Sequence, residues 1–434
     1  MLSRMMISRL QPLIPFPVHP EQTDFLRGRC ISENFVLATE LVQWYHKRKQ
    51  LTVVLKLDFR KAFDSVSWVA LDRVLEAKGF LRRWRKWVDD LNTFSWSDVV
   101  LNDDTLILLN AEPDQVTQLK RVLDVFAVNT GLTLNYDKCT FVPINVQPDM
   151  ACQLAAVFGC PIADFPQQYL GMPLSASKLK LADFYPLIAR VDKWLAGWCG
   201  LLLSSVSKWT LVDVVLTSLP TYAMGSIQLA EGTHANFEKK CRAFFWTNNS
   251  TVSGAQCKIA WTEVCKPRDR DGLGVRDMRL QNSCLLMKLL AKIHAPFDAG
   301  WQTWFSSQYG WAGVRDLGDV GLGRLDTPTW KFLLALLPLF RVRTACTVGD
   351  GERTAFWCDL WLGEATLELR YPALFSYTVH PNASMAGALQ GLEAQLRPRL
   401  STAARSDLTR LREELGRVTL RPSVQDVRTL CSGR

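Results

Sequence analysis

The stretch Val53–Trp68, VVLKLDFRKAFDSVSW, decides how this chain is read, because its first five residues have the composition of a buried strand and its sixth is an aspartate. Thr52 to Leu57 is a short β-branched and apolar run, the pattern of a strand, and it places Asp58 at the strand's C-terminal end. On the N-terminal side, Phe35, Val36, Ala38, Leu41, Val42 and Tyr45 recur at three- and four-residue steps from Glu33 to His46, which predicts an amphipathic helix. On the C-terminal side a second helix is predicted from Trp68 to Lys78, with Gly79 as its stop.

Composition bounds what surrounds this stretch. With 434 residues, 48% hydrophobic and 21% charged, the chain is long enough for two or three folded domains. A formal charge of +9 leans toward a polyanionic partner, since each Lys or Arg set against a phosphate releases a condensed counterion. Twelve cysteines, among them Cys30, Cys139, Cys199 and Cys346, form no CxxC pair and have no histidine at a companion spacing, the pattern of free thiols in a reducing compartment. Arg4 and Arg9 interrupt what would be the apolar part of a signal peptide. The longest apolar runs, such as Phe332 to Phe340, fall short of the roughly 20 residues that span a bilayer. The expectation is an intracellular chain, cytoplasmic or nuclear, neither secreted nor membrane-spanning.

Further along, residues 112–130 read as a helix with Val116, Leu119, Val122, Leu123 and Phe126 on one face, followed by Gly131 and a strand over Leu132 to Leu134. Beyond residue 150 the pattern is mainly helical, with helices predicted at 183–200, 208–219, 232–246 and 280–294, and no internal repeat. Glycines and aspartates over 310–326 suggest a loop-rich joint, and a charged helix spans about 401–416. LRRWRKW, Leu81 to Trp87, mixes Arg82, Arg83, Arg85 and Lys86 with two tryptophans, as a surface that meets phosphates and stacks bases would. Trp84 and Trp87, three apart on one helical face, are expected in the core.

A nucleotidyl transferase of the two-metal kind needs at least two carboxylates brought together from separate strands. Asp58 is suitably placed, although an aspartate after an apolar strand is also the ordinary turn or cap residue. The wording LDFRKAFDSVSW resembles the first carboxylate motif of plant LINE-type (non-LTR) retrotransposon reverse transcriptases over a dozen consecutive positions. The resemblance implies that Asp58 is a metal ligand, that Phe59 lends its backbone carbonyl to a second ion, and that Phe63 is the plate under the incoming sugar. Asp64 and Trp68 read as structural. Upstream, Gln22, Phe25, Arg27, Gly28, Arg29 and Asn34 stand where the family's entry to the palm has them. Downstream, FAVNTGLTLNYDKC resembles the fourth motif, in which Lys138 would approach the leaving phosphate or else be a solvated surface lysine. Tyr169, Leu170 and Gly171, in QYLGMPL, resemble the primer-grip turn, and RAFFW (Arg242 to Trp246) and VGDGERTAFWCDLWL follow the family's C-terminal extension.

The resemblance breaks at the second carboxylate pair. The candidates are Asp103 and Asp104 in LNDDTLIL, and Asp103 stands only 45 residues after Asp58 (103 − 58). In the family an Arg-Gln-Gly-Asp motif and a long supporting helix lie between the two. One reading is that an earlier hairpin is joined directly to the tail of the catalytic one near Asn102 to Asp104; the other is a divergent but intact site with Leu101 and Asn102 in place of Tyr and Ala. A fingers segment, an endonuclease domain and a zinc-binding module beyond Cys431 are also expected to be missing.

The fold expected is α/β (α+β): an incomplete palm with an antiparallel sheet over residues 1–150, a helical thumb or connection region over 151–310, and a C-terminal extension over 311–434. The resemblance implies a Mg2+-dependent RNA-directed DNA polymerase in the ancestor, with an RNA template and a DNA primer as partners and defective catalysis in this chain. The alternatives are a non-catalytic relic that binds nucleic acid weakly through its basic surface, and a gene-model fragment without selected function.

Overall fold

The Asp58 strand forms where its composition places it. The computed structural model describes residues 2–13, 18, 30–60, 65–93, 105–199, 202–294, 300–309 and 325–431. They fall into two compact units, Met1–Arg190 with Ala230–Thr233, and Val191–Leu229 with His234–Arg434. Both units mix α-helices with small antiparallel sheets.

In the first unit, α1 (Leu2–Leu10) and α2 (Ile31–Lys47) precede β1 (Thr52–Leu57). Then come α3 (Trp68–Ala77), α4 (Arg82–Thr93), β2 (Thr105–Asn110), α5 (Pro113–Thr130), β3 (Thr140–Ile144) and α6 (Pro148–Phe158). β1 is the middle strand of a three-stranded antiparallel sheet, order β2-β1-β3, in which Val54 pairs with both Leu108 and Val142, and Leu57 with Thr105. Val53, Leu55 and Leu57 point into a core with Phe141, Leu154, Ala155 and Phe158 from β3 and α6. Val54 points the other way and is also buried. A strand covered on both faces needs no polar alternation, which is why its sequence is an almost unbroken apolar run. Each such side chain contributes roughly 1.5–3 kcal/mol by leaving water.

The helix ends follow their local chemistry. Ser67 caps α3 by accepting the Ala70 amide at 3.3 Å, and Gly79 stops it at a φ of +82°. Gly131 ends α5 at a φ of +79°, and here the requirement for glycine is double. A Cβ at this position would lie 2.2 Å from the Ser65 carbonyl oxygen, while Ser67 N–H donates to the Thr130 carbonyl at 2.7 Å. Ser65 to Ser67 are thus seated on the end of α5. Gly131→Ala is expected to destabilise the chain by about 2–3 kcal/mol, combining left-handed strain with a backbone clash. Urea unfolding checks this; a loss below about 1 kcal/mol would mean that the turn yields instead.

Two expectations need correction. Leu132 to Leu134 is not a strand: only Leu134 bridges, to Phe59, because the chain turns again at Asn135, whose carbonyl accepts the Lys138 and Cys139 amides. Trp87 is not in the core but 37% exposed, with the Arg83 guanidinium 5.0 Å over its ring, and Trp84 is half-buried. Arg85 is withdrawn from the basic surface, pairing with Asp72 at 3.2 Å and Glu76 at 2.6 Å on α3.

In the second unit the helices predicted at 208–219 and 280–294 form as Ser205–Thr210, continued by a π turn over Leu211–Leu216, and as Met278–His294. Those predicted at 183–200 and 232–246 form as Tyr185–Trp198 and Glu231–Thr247. The predicted joint at 310–326 lies outside the described residues up to 324. The charged helix forms at Thr402–Leu415, capped by Ser401. Near the end, β6 (Thr344–Thr347) pairs antiparallel with β7 (Val427–Leu430), beside a core of Phe356, Trp357, Leu374, Met385, Leu408 and Leu411. Among the described residues no helix is long and apolar enough to cross a membrane.

Candidate active site

Asp58 leaves β1 with its backbone held by the segment after α5. Its carbonyl accepts the Asn135 amide at 2.8 Å, its own N–H meets Cys139 Sγ at 3.4 Å, and Arg60 N–H donates to the Thr133 carbonyl at 2.8 Å. The turn from Asn135 to Cys139 then presents Lys138, whose Nζ is 4.0 Å from Asp58 Oδ2. The structure therefore brings Asp58 and Lys138 together, 81 residues being closed by the bond to Cys139. Lys138 is largely exposed, so this is a long, solvated pair with little net energy.

Cys139 is the residue of this arrangement that its sequence spacing did not mark. It is buried under Asp58, and burial pushes its thiol up, opposed by the hydrogen bond to the Asp58 backbone and reinforced by the Asp58 charge. It stays a neutral thiol and acts as packing and a weak hydrogen-bond partner. The Phe59 ring turns into the core, 6.3 Å from Phe126, so its side chain packs rather than faces a ligand.

Tyr169, Leu170 and Gly171 form the tip of a hairpin between β4 (Gln167–Tyr169) and β5 (Met172–Leu174). Leu170 and Gly171 both have positive φ, 49° and 75°, the two-residue turn that matches strand twist. Glycine takes this conformation freely and leucine does not. Tyr169 is buried and stacked on Phe35 of α2, with ring centroids 6.4 Å apart.

Phe63, Asp64, Asp103 and Asp104 lie outside the described residues, as do Gln22, Phe25, Arg27, Gly28 and Arg29; Asn34 lies in α2. Magnesium asks for several oxygen donors in near-octahedral order. Among the described residues no group of three or more His, Cys, Asp or Glu is arranged to hold a metal. Asp58 offers one carboxylate with a lysine beside it, and its carbonyl is already engaged by Asn135. The described residues by themselves do not fit a magnesium pair.

A family model agrees with the sequence wording of the first unit. Residues 1–102 match the family model described as reverse transcriptase (RNA-dependent DNA polymerase). The chain is 26% identical over 200 residues to a protein of Arabidopsis thaliana named "Putative ribonuclease H protein", covering 46% of this chain and 32% of that one. It is 26% identical over 154 residues to an "Uncharacterized mitochondrial protein" of the same plant, covering 34% of this chain and 96% of that one. The chain thus spans about a third of the first relative's length and nearly all of the second's.

Proposed function

We propose that the chain, whose residues 1–102 match the reverse transcriptase family model, descends from the polymerase of a plant retrotransposon of non-LTR, LINE type and no longer polymerises. In this reading residues 1–150 are a reduced palm, 151–310 a thumb or connection region, and 311–434 an extension. The observation that carries it is the short path between the carboxylates. The match to the family ends at Asn102, immediately before Asp103 and Asp104. Between Asp58 and that pair the described residues hold two helices, α3 and α4, which pack on each other through Arg85, Asp72 and Glu76. The motif and supporting helix that should set the metals' geometry have no counterpart in the 45-residue interval.

One observation favours the second reading, an intact though divergent site using Asp58, Asp103 and Asp104 with magnesium. Leu57, directly before Asp58, pairs with Thr105, directly after Asp104. Primer extension on an RNA template with magnesium decides between the two. We expect no incorporation above the level of Asp58→Ala, with RNA still retained at low salt through Arg82, Arg83 and Lys86 on the exposed side of α4. Incorporation that Asp58→Ala abolishes would overturn the proposal and establish the second reading.

A further inference from the structure

Beside Asp58, β3 makes a second pairing on the side away from β1. Phe141 donates its amide to the Pro161 carbonyl at 2.9 Å and accepts the Ala163 amide at 3.0 Å, which sets it opposite Ile162 with the two segments parallel. In a parallel pair, residues equally far from such a bridge stand opposite one another and share a face. Cys139 and Cys160, each two residues before it, are therefore neighbours.

Their surroundings agree with this register. Phe141 also pairs with Leu55 of β1, so Cys139 continues along the same face toward Leu57. Both cysteines lie in the core formed by Leu55, Leu57 and Phe141, 1% and 7% exposed, and both are free thiols. Burial pushes the Cys160 thiol up to about 11, and the next cause is the Cys139 sulfur. Neighbouring strands lie about 4.8 Å apart, within the roughly 4.4–6.8 Å between Cα atoms that a disulfide bridges.

We propose that Cys139 and Cys160 form a reversible disulfide closed by hydrogen peroxide, a redox latch beneath the carboxylate strand. Cys160, the less buried thiol, attacks one peroxide oxygen. The O–O bond breaks, the departing hydroxide takes the thiol proton as water, and a sulfenic acid remains. The Cys139 sulfur then attacks the Cys160 sulfur and displaces its hydroxyl, which leaves with the Cys139 proton as a second water. The two thiols lose two electrons, and the peroxide is reduced to water. With its proton so firmly held, Cys160 reacts slowly, so the latch answers sustained rather than momentary oxidation. Closure removes the S–H that Cys139 directs at the Asp58 carbonyl, 3.8 Å away, and ties the turn beneath Asp58 to the end of α6. The latch does not depend on whether the chain polymerises.

The full chain is treated with peroxide, alkylated and digested with trypsin. Cleavage after Lys138 and Lys178 releases both cysteines in one peptide that also contains Cys152. That peptide is expected to lose two hydrogens and to carry no alkyl group on Cys139 or Cys160. The urea midpoint of the first unit should rise with the link, and dithiothreitol should reverse both changes. Cys160→Ser, which leaves the Cys139 contacts to Asp58 in place, should show neither, and Cys160→Ala decides the matter if the serine variant fails to fold. Alkylation of both cysteines after peroxide, a link through Cys152, or a linked chain whose midpoint does not move overturns the proposal.

Discussion

Asp359→Ala is expected to destabilise the second unit by about 3–5 kcal/mol, the largest loss from any single side chain considered, because it strands buried positive charge. Asp359 is 1% exposed. Its Oδ2 accepts from Arg428 at 2.5 Å and from the Ala355 amide at 2.8 Å, and Arg341 Nε lies 3.6 Å from Oδ1. Arg428 belongs to β7, so this carboxylate fastens the last strand to the loop after β6, beside Asp426, which accepts the amides of Gly349, Gly351 and Arg353. Removing Asp359 leaves the Arg428 guanidinium with the Thr344 hydroxyl, at 3.0 Å, the Phe340 ring and the more distant charge of Asp426 to offset its lost hydration. Urea unfolding monitored in the second unit should show an earlier transition. The double variant Asp359→Leu with Arg428→Met should recover most of the loss, since replacing both members of a buried pair is far cheaper than removing one. Equal losses in the single and double variants would show that packing, not charge, is what Asp359 supplies.

This network shows why part of the molecule was not legible in the sequence. Asp359 and Arg428 are 69 residues apart, and nothing local distinguishes them from surface charges. The same holds for Arg85, which reads as one of four cations on α4 until α3 supplies Asp72 and Glu76. Features set within a few residues were legible: the β1 run, the Gly79 and Gly131 stops, and the Val116, Leu119 and Leu123 part of the α5 stripe, whose Val122 and Phe126 are instead 63% and 40% exposed. β3 was missed because TFVPI contains a proline. Pro143 is tolerated opposite Val53 because Val53 turns its amide toward β2, so that position of the ladder needs no N–H from β3.

The candidate site divides the same way. Asp58 at a strand end follows from composition, while the Leu170–Gly171 turn was reached through the family wording, since leucine does not take a positive φ freely. The approach of Lys138 depends on the turn from Asn135 to Cys139 folding back under Asp58, a tertiary event to which the family wording pointed and local pattern did not. Trp87 was misplaced because a three-residue spacing shows that two tryptophans share a face of α4 but not which face another element covers.

The buried charge network has a consequence for pH. His294, on the helix Met278–His294, packs its ring 5.2 Å from Phe340, and its Nδ1 lies 2.7 Å from the Leu290 carbonyl. Burial, then the nearby Arg428 guanidinium, pushes its pKa down to about 3, against partial support from the Leu290 carbonyl and Asp359. The native state therefore holds this imidazole neutral through a range in which an unfolded chain would protonate it. The unfolded state binds more protons between roughly pH 6.5 and 3, so stability is full above that window and falls as pH drops through it, by about 1.4 kcal/mol per unit. For Asp359 burial pushes upward, but Arg428 and Arg341 hold it below the ordinary carboxylate range, so its contribution is lost only at lower pH still. Between pH 6.5 and 5 the histidine is thus the member of this network that titrates. Unfolding free energies of the second unit should fall by about 2 kcal/mol more in the native chain than in His294→Gln over that interval. Arg428→Met, by removing a cation that disfavours imidazolium, should raise the pH at which this acid loss levels off, and parallel slopes in the native chain and His294→Gln between pH 6.5 and 5 would refute the assignment of the acid sensitivity to His294.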